Sequence, residues 1–395
     1  MSDKIKKYIR GDSKIWFIIL FLCAFSLLAV FSSMGIKSHI RPSYFYMFKQ
    51  LGSIIAGIFI IIVTSNINHR YFARFSRSFL VLSVILLVCT IFAGETINVA
   101  TRTLVIPFLG IRIQPSEVAK IAIIIYVAKI LAMHQDDKEK MAKKFKPVII
   151  NTTIVTALIL KDNLSTALLI FFVVLIMLYI GGMALKYIFG TIVVGISALA
   201  LLILLASYIP FLERNATWIS RIEQKFAPPE KQDKNLNYQA TQAKIAVASG
   251  GILGKGPGNS VQRNFLPQSY SDFIYAIIAE EYGLWGALFI LIAYFILLAR
   301  IGTIVSKSNN TFPALMIIGF GVLFLTQALI NMGVSVGVLP VTGQPLPMVS
   351  WGTTSMLCTS IALGAILSVS VIANMKKIAV EENEENNENE ENENE

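Results

Sequence analysis

Apolar residues in this chain fall in long blocks rather than alternating with polar ones. Seven blocks follow closely, near Ile15–Ser33, Phe48–Asn66, Phe79–Gly94, Val118–Met133, Pro147–Leu160, Leu164–Met183 and Ile188–Pro210. Three more lie near Phe273–Ala299, Phe312–Val336 and Leu346–Val371. A block of about 18 or more apolar residues can cross a bilayer as a helix. The pattern predicts an all-α polytopic membrane protein of about ten transmembrane helices. A long extracytoplasmic loop, Phe211–Ser271, separates spans seven and eight; it is too long to be a plain connector. Within it, Tyr238–Ala248 has apolar residues at helical spacing. Three segments result: a polar N-terminal piece over 1–14, a membrane domain over 15–375, and a tail over 376–395.

Charge gives the orientation. The formal charge is +10, but the last 15 residues hold nine Glu, so the preceding 380 carry +19. That balance suits an anionic lipid surface or substrate; the cations are scattered over short loops, which argues against nucleic acid. Eighteen Lys and Arg lie in the loops on the side of the termini and six in the short loops opposite. The majority side is cytoplasmic, so both termini of what reads as an inner-membrane protein are expected there. The acidic tail cannot bury a core and is expected to stay unstructured. Cys23, Cys89 and Cys358 fall in apolar blocks and read as core residues. No HExxH or CxxC spacing exists, so no metal site is expected.

Candidate chemistry gathers at four places. Asp272 stands where the glycine-rich GGILGKGPGNS stretch gives way to an apolar block, followed by Glu280 and Glu281. It reads either as a first-turn acid of a helix or as a general base at the membrane face. On a regular helix Glu280 and Glu281 would sit about 12–14 Å away and could not both join it. Lys255 and Arg263 would face a phosphate or simply be solvated; Gly256 after Lys255 excludes a Walker A loop. Glu117 and Lys120, three apart, either neutralise each other or line a cavity for a charged lipid head. Gln327 and Asn331 lie one turn apart in an apolar block, ahead of a segment rich in proline and glycine that contains Ser350. Broken backbone with polar side chains at membrane depth is typical of sites that handle polar substrates.

Long motifs in a fixed order then carry a resemblance. They are ATR at Ala100–Arg102, IQPSEVAKIA at Ile113–Ala122, YQATQAKIAVASGGILGKGPGNSVQ at Tyr238–Gln262, LPQSYSDFIYAIIAEEYG at Leu266–Gly283, and QALINMGVSVGVLPVTGQPLPMVSWGTTS at Gln327–Ser355. The chain resembles the SEDS family (shape, elongation, division and sporulation) of peptidoglycan polymerases, and its FtsW-like branch more than the RodA-like one. The resemblance implies an inverting glycosyltransferase that joins lipid II into glycan strands outside the cytoplasmic membrane, in septal wall synthesis. It implies that Asp272 is the catalytic base. It implies substrate contacts at Arg102, Lys120, Lys255, Arg263, Glu117, Glu281, Gln327, Asn331 and Ser350. No cofactor is called for, and a divalent cation at the pyrophosphate stays open. The implied partners are lipid II, a class B penicillin-binding protein and other division proteins. Two departures stand out. Asn98-Val99-Ala100-Thr101-Arg102-Thr103 replaces the family's Asn-Gly-Ala-x-Arg-Trp, and Asp162-Asn163-Leu164-Ser165-Thr166 replaces Pro-Asp-x-Gly-Thr, leaving Asp162 or Glu117 as the partner of Lys120. A lipid II flippase and a non-catalytic scaffold for the penicillin-binding protein are the competing readings.

Overall fold

The computed structural model describes residues 10–34, 42–97, 100–106, 111–133, 138–161, 163–205, 234–308 and 310–393. Its helices are α1 (Ser13–Ser33), α2 (Ser43–Ser65), α3 (His69–Ala93), α4 (Pro115–Ala132), α5 (Lys138–Leu160), α6 (Leu164–Ile180), α7 (Leu185–Leu205), α8 (Lys234–Gly250), α9 (Ile274–Ser306), α10 (Thr311–Ser335) and α11 (Thr353–Glu393). A three-stranded antiparallel sheet, β1 (Glu95–Ile97), β2 (Ala100–Ile106) and β3 (Ile111–Ile113), joins α3 to α4. Block patterning gave no hint of these strands, because Arg102 and Thr103 read as polar linker.

Six of the described helices are long and apolar enough to cross a membrane: α1, Tyr44–Ser65, His69–Phe92, α9, α10 and Thr353–Ala373. Leu164–Ile180 and Leu185–Ala198 are shorter apolar helices. Large apolar side chains point outward, with Phe92 85% exposed and Phe17 71%. In water such a surface would aggregate; against lipid tails it costs nothing.

Local chemistry sets the helix ends. The Asp12 carboxylate accepts from the backbone N–H of Lys14 (2.9 Å) and Ile15 (3.3 Å) and starts α1. It also pairs with Arg300, and its own N–H donates to Ser370 Oγ (3.0 Å), so the start of α1 is tied to α9 and α11. Asn68 caps α3 through Arg70 N–H (3.0 Å), and Asn163 caps α6 through Thr166 N–H (3.1 Å). The Asn68 cap lets α3 begin at His69 rather than near Phe79, while α2 begins at Ser43 rather than near Phe48, directly after Pro42 and without a side-chain cap. The last helix begins at Thr353, not Leu346, since Pro345 and Pro347 hold the preceding segment in turns. It runs on to Glu393, through the stretch expected to be unstructured. Glu is a good helix former, and extending an existing helix is cheap.

Helix α4 lies at the centre, buried continuously from Ala119 to Ala128. It is apolar all round apart from its two ends, as a core helix must be. Helices α2 and α11 meet through small residues. A Cβ on Gly364 would fall 1.6 Å from Thr64 Oγ1, and one on Gly57 would fall 2.7 Å from Ser360 Oγ. Gly364→Ala should therefore lower stability by about 2–3 kcal/mol, read as a lower unfolding midpoint in detergent.

Helix α9 is broken. Gly283 has φ 65° and ψ −160°, a conformation open to glycine almost alone. The Tyr275 hydroxyl donates to the Ala287 carbonyl at 3.2 Å. In a straight helix those residues would be about 18 Å apart along the axis, beyond the reach of a tyrosine. The half-helix Ile274–Tyr282 is thus bent back over the segment that follows, and Ile274–Glu281 is wholly buried.

Candidate active site

Asp272 stands in a turn just before α9, half-buried. It is not the helix cap: that position belongs to Phe273, which makes no side-chain cap bond. The break in α9 comes at Gly283, after both glutamates, and Glu280 and Glu281 are held by the glycine loop rather than joining Asp272. The Asp272 N–H donates to the Gln268 carbonyl (3.1 Å). Its carbonyl accepts from Asn331 Nδ2 at 2.9 Å. Asn331 lies four residues before the end of α10, so Asp272 sits about 6 Å inside that end of the bundle.

Behind this turn runs the irregular segment between α10 and α11. Asn331 Nδ2 also donates to the Gln344 carbonyl (2.8 Å), and Gln327 Nε2 donates to the Pro345 carbonyl (2.9 Å). Gln327 Oε1 in turn accepts from Lys120 Nζ at 3.0 Å. Lys120 is 2% exposed and pairs with Glu117 at 2.8 Å. The two charges neutralise each other inside the bundle, as their spacing allowed. Gln327 takes the place of a second acid beside Lys120; Asp162 lies outside the described residues. Ser350 Oγ donates to the Ser271 carbonyl (2.6 Å) and accepts from the Leu346 N–H (2.7 Å).

The glycine-rich stretch fills the break in α9. The N–H groups of Lys255 and Gly256 donate to the carbonyls of Glu280 (3.0 Å) and Glu281 (2.9 Å), and Leu284 N–H donates to the Gly251 carbonyl (2.9 Å). Carbonyls released by the broken helix are thus satisfied by the loop, as burial requires. The Glu280 carboxylate accepts from Lys255 Nζ (2.6 Å), Ser260 Oγ (2.5 Å), Val261 N–H (3.2 Å) and Gln262 N–H (3.2 Å). Glu281 accepts from the Ser32 hydroxyl and from Ser260 N–H (3.2 Å), while its buried Oε2 has no side-chain hydrogen-bond partner among the described residues. Arg263 reaches the Ser32 carbonyl at 3.2 Å. Removing the Glu280 anchor strands several buried donors. Glu280→Ala should cost about 2–3 kcal/mol and make the loop more open to limited proteolysis.

The structure therefore brings Asn331 and Ser350 to the Asp272 turn, and joins Gln327, Lys120 and Glu117 to it through Pro345. Lys255, Arg263 and Glu281 gather at the glycine loop instead. Arg102 lies on β2, with its side chain outside the described residues; Arg112 on β3 is exposed. The first part of the long loop, residues 206–233, also lies outside them. Among the described residues no three His, Cys, Asp or Glu side chains converge to hold a metal ion. Sequence reasoning missed Gln344, whose Nε2 donates to Thr166 Oγ1 (2.7 Å), and Ser32 and Ser260 beside Glu281. Ser32 looked like the ordinary polar end of an apolar block; only its pairing across about 250 residues marks it.

Known proteins resemble this chain in fold and in sequence. A chain of a peptidoglycan synthase complex, from a study of "structural coordination of polymerization and crosslinking", superposes with a TM-score of 0.72. It is 22% identical, and the match covers 93% of this chain and 99% of that one, which is a likeness of fold. A protein of Trichlorobacter lovleyi described as a "Probable peptidoglycan glycosyltransferase FtsW" is 30% identical over 365 residues, covering 91% of this chain and 93% of the relative. One of Nitrosomonas europaea with the same description is 33% identical over 341 residues, covering 85% of each. The family model FTSW_RODA_SPOVE, "Cell cycle protein", matches residues 13–375, nearly everything but the N-terminal segment and acidic tail, so the chain belongs to the FtsW/RodA/SpoVE family.

Proposed function

We propose that the protein is a peptidoglycan glycosyltransferase that polymerises lipid II into glycan strands at the outer face of the bacterial cytoplasmic membrane. The single observation that carries this reading is the match over residues 13–375 to a family whose FtsW relatives bear that activity in their descriptions. Those relatives also favour a role in cell division. In the ten-span arrangement, α1–α7 and α9–α11 cross the bilayer with both termini cytoplasmic. Helix α4 then crosses with its Glu117–Lys120 pair buried and neutral.

In this scheme the Asp272 carboxylate takes the proton from the 4-hydroxyl of the acceptor GlcNAc. The freed oxygen attacks C1 of the donor MurNAc with inversion, and the undecaprenyl pyrophosphate leaves with the bonding electrons. Cations stabilise that leaving group. Lys120 is buried in its pair with Glu117 and Lys255 is paired with Glu280, so Arg102 is the first candidate, followed by the partly exposed Lys255 and Arg263. A class B penicillin-binding protein would crosslink the product; the likeness to a chain of a synthase complex supports such a partner.

The test is polymerisation of purified lipid II by the protein together with a class B penicillin-binding protein. Glycan strands are the expected product. If none forms where a control polymerase makes them, the glycosyltransferase reading fails and the flippase or scaffold takes its place.

A further inference from the structure

We infer that Asn331 and Ser350 are positioning residues for Asp272, which they aim through its backbone, and that they do not contact substrate. The inference rests on the reading of Asp272 as the general base. Three consecutive carbonyls lead into and include that residue, and each is claimed from outside its own turn. Tyr270 O accepts from Trp351 N–H (2.9 Å), Ser271 O from Ser350 Oγ (2.6 Å), and Asp272 O from Asn331 Nδ2 (2.9 Å). Fixing three successive peptide planes leaves the Asp272 Cα little freedom, and so fixes where its carboxylate can point.

The donor count separates positioning from substrate binding. An Asn amide has two N–H donors, and Asn331 gives both to carbonyls, those of Asp272 and Gln344. Ser350 has one O–H, given to Ser271, while its oxygen accepts from Leu346 N–H. Asn331 is 0% exposed and Ser350 is 5% exposed. Neither has a donor left for a sugar or a phosphate, and the acceptor that has no partner among the described residues, Asn331 Oδ1, is itself buried away from the surface.

The segment that supplies Ser350 and Trp351 is itself pinned. Gln327 holds Pro345 O (2.9 Å), the Tyr294 hydroxyl holds Pro347 O, and Ser26 Oγ holds Val349 O (2.9 Å). Three helices, α10, α9 and α1, thereby fix one short turn. Within it Met348 has φ 63°, in the left-handed region that a side chain of its size avoids. Strain of this kind persists only where the surroundings over-determine the backbone, and it gathers at functional sites. The turn thus acts as a rigid template against which the Asp272 turn is set.

The experiment measures kcat and KM for lipid II with the full chain and its penicillin-binding partner. The variants are Asn331→Leu, Ser350→Ala and Ser350→Thr, the first two also in an Asp272→Asn background. A misaimed base should cost about 10–100-fold in kcat, with KM changed less than about threefold. Ser350→Thr keeps the hydroxyl and should recover most of what Ser350→Ala loses. In the Asp272→Asn background neither change should lower the residual rate further, because there is no base left to aim. If KM rises while kcat holds, the two residues are substrate contacts and the inference is wrong. Unchanged kcat in both variants, beside an inactive Asp272→Asn, also overturns it while leaving the general base intact. An active Asp272→Asn removes the reading beneath it. Should Asn331→Leu fail to fold, the Ser350 pair decides by the same criteria.

Discussion

Asp272→Asn should reduce glycan polymerisation by about 10²-fold or more while leaving the protein folded and bound to its partner. The change swaps one carboxylate oxygen for an amide nitrogen of nearly the same size. It removes the negative charge and with it the basicity needed to take the acceptor's proton. It leaves the backbone anchors of residues 270–272 untouched, since those are carbonyl and N–H groups. A loss of activity with an unchanged unfolding midpoint would therefore locate the defect in proton transfer. Lipid II incubated with equal amounts of each protein, and the products separated by length, reads the effect directly. If the variant makes strands at the native rate, Asp272 is not the base, whatever else the family match implies.

The weight on Asp272 could be read from the chain only in part. Apolar block lengths sufficed for a polytopic helical protein, because a bilayer demands long uninterrupted apolar helices and little else mimics them. The i, i+3 spacing of Glu117 and Lys120 was enough to anticipate their pairing. The second partner, Gln327, is 207 residues away from Lys120, and no local pattern contains that contact. Asp272 itself was legible as an acid at the end of a polar loop, and helical spacing already kept Glu280 and Glu281 from both joining it, but what holds each of the three was not. What holds them depends on where the helix starts and on what meets its break at Gly283. Both are decided by tertiary contacts: Asn331 holding the turn, and the glycine loop docking into the break. Glycines at 250, 251, 254, 256 and 258 signalled tight backbone. What they were tight against, the opened carbonyls of α9, became visible only in the fold. Gln327 and Asn331 were found by their unexpected polarity among apolar residues, and Ser350 came in with the motif that follows them. Their partners turn out to be backbone carbonyls, and polarity alone does not distinguish those from a ligand.

Gly283→Ala should be among the most damaging single methyls at the described residues, costing about 4–6 kcal/mol. Two costs add. The residue's φ of 65° with ψ of −160° is nearly exclusive to glycine, and forcing an alanine there costs about 1–3 kcal/mol. The new Cβ would also stand 2.4 Å from Ile252 O, 2.5 Å from Gly254 N and 2.6 Å from the Ile252 carbonyl carbon. All three are backbone atoms, so no side chain can rotate away, and relief means lifting the loop off the helix. That would take the N–H groups of Lys255 and Gly256 from the carbonyls they satisfy and expose the half-helix leading back to Asp272. Gly182 provides the control: it has φ 80°, with nothing within 4 Å of a Cβ. Gly182→Ala meets the conformational cost alone and should lose about 1–2 kcal/mol. Unfolding midpoints of both variants in the same detergent separate clash from strain. If the two fall equally, the loop does not grip the break as the geometry requires. If Gly283→Ala falls much further and loses polymerisation with it, the broken helix and its glycine plug are part of what holds Asp272 in place.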